Sequence, residues 1–204
     1  MYTDNPYYKK FIGSIYENKL QYYLDNLDED ILYQSWTHGK LHIIRTMTYG
    51  ALIAQNENFT PLETDLLLLS CSYHDIGRID DRYAPEHGTN SAKLIEEGKV
   101  EALNCYEGDY INIIKAAIAA HSDHDSNMEL YLNRFKVIDK SLFYKIARAL
   151  KDADNLDRVR IGDLNTDYLR TETAKQLPDF AQDLFDFTVP DHDPVHPWKK
   201  ISEV

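Results

Sequence analysis

Apolar residues in this chain recur at helical spacing, and no segment alternates apolar with polar residues between hairpin turns. That pattern allows only helices. The start and stop signals agree. Asn5 before Pro6 is a cap followed by a first-turn proline and opens a helix to about Asn26. A second helix is expected from about Thr37 to Asn56, with Leu41, Ile44, Thr48 and Leu52 on its apolar side. Thr60-Pro61-Leu62-Glu63 combines cap, proline and capping-box glutamate, and the helix it starts should end near Gly77. Further helices are expected from about Pro85 to Glu97, from Gly108 to about His121, from about Asp139 to Val159, and from Glu172 to Phe187. The sequence therefore predicts an all-α fold, a helical domain over 1–188 followed by an extended, proline-containing tail over 189–204.

Bulk composition narrows the partners. The 204 residues are 43% hydrophobic and 27% charged, enough apolar material for a core. A formal net charge of −12 repels nucleic-acid backbone and anionic membrane, so neither is expected as a bulk partner. A small phosphorylated molecule stays open, because a bound cation and a few local basic groups can reverse the potential in one cleft. The longest apolar run, Leu66 to Leu69, is too short to span a bilayer. Two cysteines, Cys71 and Cys105, form no disulfide framework, and no apolar leader segment is visible from Met1 to Lys10. A cytoplasmic setting is expected. Oligomeric state is not encoded in any pattern found.

The chemistry starts at His74-Asp75. The dipeptide also occurs at His124-Asp125 and His192-Asp193, so its setting matters more than its presence. It ends the apolar helix from Leu66 to Tyr73, where two polar groups are costly unless paired. A hydrogen bond between them would serve, and so would a divalent cation. Other such groups lie at or beside apolar helical faces: His42 on the second helix, His87 after the loop, His121 after Ile113 to Ala120, and Asp154 in Asp152-Ala153-Asp154-Asn155-Leu156. Separate helices of a bundle can aim groups like these at one point.

In order, His42, His74-Asp75, His87, His121 and Asp154 resemble the H…HD…H…H…D pattern of the HD-domain superfamily. The contexts His-x-x-Arg at 42–45, His-Asp-Ile-Gly at 74–77, Ile-x-x-His at 118–121 and Ala-Asp-Asn-Leu at 153–156 carry the likeness over residues 36–160. The resemblance implies an HD-domain-like helical bundle with a metal site in its core. It implies His42, His74, Asp75 and Asp154 as ligands, with His87 and His121 holding a second ion in two-metal members. One or two divalent transition metals (Mn, Fe, Ni, Co or Zn) suit such ligands, and Mg suits an oxygen-rich second position. Asp152 competes with Asp154. On the helix face set by Leu142, Ile146, Ala149, Leu150 and Ala153, Asp154 lies about 80° from the centre and Asp152 about 120°, which favours Asp154 as ligand and puts Asp152 behind it.

Two features depart from the family pattern. Arg78 stands where relatives often have lysine, and Ser122-Asp123-His124 stands where many have a second histidine. The implied activity is phosphoester hydrolysis. Asp75 would ligate the metal and orient or deprotonate its water, while Arg78 and Arg45 neutralise phosphoryl charge. For Arg45 a salt bridge to a nearby acid is an equal reading. His38, one turn before His42, is an extra ligand, a substrate contact or an exposed helix-start residue. Tyr73 is a candidate cleft residue, Arg82 and Lys115 read first as solvated charges, and the polar stretch 122–133 reads as a lid. His192 and His196 read as surface residues of the tail. Two other functions fit the same residues: a di-iron oxygenase of a small polyol or phosphonate, and a nucleotide-binding module without turnover.

Overall fold

The computed structural model describes residues 2–82 and 84–188; the expected tail, with His192 and His196, lies outside them. The described residues form nine α-helices joined by short 3-10 turns, with no strand. These are α1 (Pro6–Phe11), α2 (Ile15–Asp25), α3 (Lys40–Asn56), α4 (Pro61–Tyr73), α5 (His87–Glu96), α6 (Gly108–Ala120), α7 (Met128–Arg134), α8 (Lys140–Leu156) and α9 (Pro178–Thr188). One apolar cluster runs through the whole set, from Tyr8 to Leu184.

Local chemistry sets the boundaries. Thr60 and Glu63 make the reciprocal capping box that starts α4, and Pro61 takes the first helical position. The expected single helix from Asn5 to Asn26 is instead two. Gly13 adopts φ +76°, a left-handed conformation that ends the first segment, and Ser14 then caps α2 by accepting from the Glu17 N–H. The last helix starts at Pro178 rather than Glu172, with a separate 3-10 turn at Ala174–Gln176 before it. Proline favours the first helical position and cannot sit one turn further in. Helix α7 overlaps the end of the stretch read as a lid and buries two side chains, Met128 and Leu132.

Helix α3 occupies the centre, with every residue from His42 to Gln55 buried. It packs on α4 and α8, while α6 packs on α4, α5 and α8. Leu66, Leu67, Ile114, Ala117, Ile146, Ala149 and Leu150 fill the space between them at 0% exposure. Each large aliphatic side chain so placed contributes about 1.5–3 kcal/mol. That apolar frame carries polar groups at helix ends. His74 caps the C-terminus of α4, His121 caps that of α6, and Asp154 lies in the last turn of α8. Three C-terminal helix dipoles, each partly negative, therefore converge on one region and favour a cation there.

Candidate metal centre

His42, His74, Asp75, His87, His121 and Asp154 meet in one contiguous cluster. Three sets of possible ligand atoms lie within 4.8 Å of one another: His42, His74 and Asp75; His74, His121 and Asp154; Asp75, His87 and His121. Five of these residues are buried and Asp154 is partly exposed.

The protons on the imidazoles decide what the cluster can do. His74 donates from Nδ1 to the carbonyl of Cys71 at 2.9 Å, and His121 donates from Nδ1 to Ile118 at 2.6 Å. His87 repeats the arrangement with Ala84. His42 donates from Nδ1 to Asp157 Oδ2 at 2.8 Å. With Nδ1 donating, each ring turns Nε2 toward the interior, and in the neutral form that nitrogen carries a lone pair. Burial, then the charge of Arg160, pushes the His42 imidazolium down to about 4 despite Asp157. Burial does the same at His121, again to about 4. Both rings are neutral at neutral pH.

Those lone pairs face one another. His42 Nε2 is 3.1 Å from His74 Nε2, and His87 Nε2 is 2.8 Å from His121 Nε2. Without a proton between them such contacts are repulsive. Asp75 sits between the two pairs. Its Oδ2 is 3.6 Å from His42 and 3.8 Å from His74, while its Oδ1 is 3.1 Å from His87 and 3.6 Å from His121. Oδ1 is buried and accepts no hydrogen bond, because the nitrogens beside it are themselves acceptors. Asp154 Oδ1 completes the inner pair at 3.4 Å from His42 and 3.8 Å from His74. Burial would raise both carboxyls, yet positive charge among the imidazoles, at His74 first, holds Asp75 and Asp154 well below the usual range, as the charge of a bound cation would. Inward-facing imidazole nitrogens, ionised carboxylates and an orphaned buried oxygen are the donor set for one or two divalent cations.

Supporting residues fix this geometry. Asp157 is fully buried and bidentate to Arg45, with Oδ1 2.5 Å from Nε and Oδ2 3.0 Å from Nη2. The same Oδ2 orients His42, an outer carboxylate of the kind that fixes ligand histidines. Arg45 also reaches Thr188 at 3.1 Å and faces the Phe185 ring. It is thus committed behind His42 in a salt bridge, the second of its two expected readings, and does not line the cleft as a phosphate contact would. Gly88 lets α5 approach α6: a Cβ there would stand 2.6 Å from the Ile118 carbonyl and 3.0 Å from His121 Nδ1.

A cleft of about 590 Å³ opens on the outer pair. His38, Arg78, His87, His121 and Asp154 line it together with the polar stretch 122–125 and part of the segment after α8. Arg78 donates from Nε to Asp75 Oδ2 at 2.9 Å, and its Nη2 is 3.3 Å from His87 Nε2. His38 lies at the mouth with Nδ1 3.0 Å from Asp81 and its ring edge-on to His42. His124 caps a surface turn. Tyr73 packs into the core and does not line the cleft. Arg82 pairs with Asp80, and Lys115 lies between Glu96 and the Phe135 ring.

Asp152 is turned away from the centre. It accepts from the backbone N–H groups of Arg170 and Thr171 and from Arg170 Nη1, so it ties the segment after α8 to the bundle rather than backing Asp154. Sequence reasoning missed Lys151 and Asp157, which lie three residues either side of Asp154, Lys151 on α8 and Asp157 just past its end. That spacing was the available signal.

A family model described as HD domain matches residues 41–159, more than half of the chain. Neither the curated proteins nor the solved structures yield a match. Among the described residues, no helix is long and apolar enough to cross a membrane.

Proposed function

The chain belongs to the HD domain family, a superfamily of metal-dependent hydrolases, and from that premise we propose that it is a phosphohydrolase acting on a small phosphorylated molecule, in the class of nucleotides and related phosphoesters. The observation that carries this reading is Asp75 Oδ1, a buried carboxylate oxygen with no hydrogen bond between two lone-pair-bearing imidazoles. His42, His74, Asp75 and Asp154 would hold the inner ion, and Asp75, His87 and His121 an outer one. A divalent ion held there supplies Lewis acidity and a water of lowered pKa.

The chain's own residues do the rest. Asp75, fixed by the Arg78 N–H, is kept ionised by its depressed pKa and would ligate the ion and orient its water. Arg78 borders the space a phosphoryl group would enter, so it orients Asp75 and faces the developing negative charge. The apolar frame behind His42 and His74 excludes water from the inner face. The free thiols of Cys71 and Cys105 suit the proposed cytoplasmic location.

The test is hydrolysis of a panel of phosphomonoesters and nucleotides by protein loaded with Mn, Co or Zn, beside His74→Ala. Turnover that needs metal and is lost in the variant supports the reading. A metal-replete protein inactive on the whole panel contradicts it. A second reading has its own observation: Asp75 faces both histidine pairs, so the same residues could hold two irons. Stoichiometric iron with substrate-dependent oxygen consumption would favour that oxygenase.

A further inference from the structure

The cleft wall beside the histidines carries a charged cluster that the chemistry above does not use. Lys151 lies one turn before Asp154 on α8 and faces the same cleft. Its side chain is 3% exposed. The ammonium donates to the carbonyls of Ala120, at 3.1 Å, and Asp123, and pairs with Asp125 Oδ1 at 2.9 Å. Arg170 grips the same carboxylate as a fork, Nε to Oδ2 at 2.8 Å and Nη2 to Oδ1 at 2.9 Å. Two cations thus share one carboxylate.

The members differ in how firmly they are held. Arg170 is fixed by Asp152 through both its backbone N–H and Nη1. Lys151 is fixed by its two carbonyl acceptors. Asp125 sits on a three-residue 3-10 turn, and its side chain is 44% exposed. A rigid guanidinium fork beside a buried ammonium suits a phosphoryl group as well as a carboxylate. A phosphoryl group carries about −1.5 to −2 charge at neutral pH, against one unit on aspartate, so the exchange strengthens the attraction to both cations.

We infer that Lys151 and Arg170 form an anion subsite on the cleft wall, that Asp125 fills it in the free protein, and that a second anionic group of the substrate displaces Asp125. Lys151, Arg170 and Asp154 line one cleft of about 590 Å³. The subsite therefore suits small molecules with two anionic groups, such as a diphosphate or a bisphosphate. The inference rests on the phosphohydrolase reading for the identity of the reacting group, and on the cluster alone for the anion it binds.

The probe is methylenediphosphonate, which resists hydrolysis, titrated calorimetrically into the full chain with and without Mn. Asp125→Asn, which removes the competing charge and keeps the shape, should bind it several-fold more tightly than wild type. Lys151→Met should bind it about tenfold more weakly, a change of about 1.4 kcal/mol. Unchanged or weaker binding by Asp125→Asn overturns the proposal, and that arm stands alone if Lys151→Met does not fold. The metal-free titration keeps the two readings apart: variant-dependent affinity there supports the subsite whether or not the loaded enzyme turns over any phosphoester.

Discussion

The two histidine pairs are chemically alike and are built differently. His42 and His74 lie at 0% exposure within the apolar frame; a carboxylate that is itself clamped by Arg45 orients His42, while His74 donates to the carbonyl of Cys71. His87 and His121 lie at 6% and 7% exposure and border the cleft, and both are oriented by backbone carbonyls of their own turns. A carboxylate partner raises the basicity of the ring it orients more than a carbonyl does, and burial blocks exchange with solvent. The inner pair is thus suited to a resident ion and the outer pair to one that meets substrate. Asp75 lies within 4 Å of all four imidazoles, and Asp154 also joins the two pairs through His74 and His121.

The comparison breaks most completely at that shared residue. Asp75→Ala should lose both metal equivalents and all metal-dependent turnover, read by elemental analysis beside a phosphoester assay. A variant that kept one full equivalent would show that the pairs do not depend on a common carboxylate.

Next in size is Asp157→Asn. The amide oxygen can still accept the His42 proton, but Arg45 loses its counter-charge while remaining buried. Breaking a buried pair from one side costs about 3–5 kcal/mol. Weakening an outer-sphere partner of a ligand histidine costs about 10–100-fold in metal affinity. Competition with a chelator should therefore show a lower affinity for the inner ion, and thermal melting of the metal-free chain a lower stability. Equal affinity in the variant would remove the distinction drawn between the pairs.

A smaller, one-sided effect is expected from His87→Ala. One metal equivalent should disappear while the inner one stays, and the melting temperature of the metal-free chain should change little, because the ring is at the cleft edge. Loss of both equivalents would make the cluster a single cooperative unit instead of two sites.

What the sequence conveyed divides along the same line. Candidate ligands at the ends of apolar runs, His74-Asp75 and His121, were legible because a polar group is costly there and its position marks the helix terminus. The supports were not. Arg45 lies on the expected side of α3, but the acid it meets, Asp157, is 112 residues away in sequence, and pairing over that distance leaves no local trace. The burial of the two α8 aspartates ran opposite to the helix-face expectation. Asp152 is fully buried and Asp154 partly exposed, because the segment around Arg170 and Thr171 folds over the side chain of Asp152. Helical phase measures direction from the helix's own apolar face; it does not register an irregular segment that arrives later and covers another side. The break at Gly13 was missed for a related reason, since apolar periodicity continues across it while the backbone does not.

The smallest effect belongs to the cleft wall and follows from charge alone. Burial would raise the Asp125 carboxyl, but Arg170 and Lys151 override it and bring it down to about 2. The folded-state pKa then lies below the unfolded value of about 3.9, so the unfolded chain binds the proton first as pH falls. The contribution of this pair to stability is complete above pH 4 and is lost as the pH drops through about 2. Because the Asp125 side chain is 44% exposed, solvent screening limits that contribution to about 1 kcal/mol or less. Melting of wild type and Asp125→Asn between pH 5 and pH 2 should show a small gap in favour of wild type that closes toward the acid end. A gap that stays constant with pH would mean that Asp125 acts through its shape on the turn, not through its charge on Lys151 and Arg170.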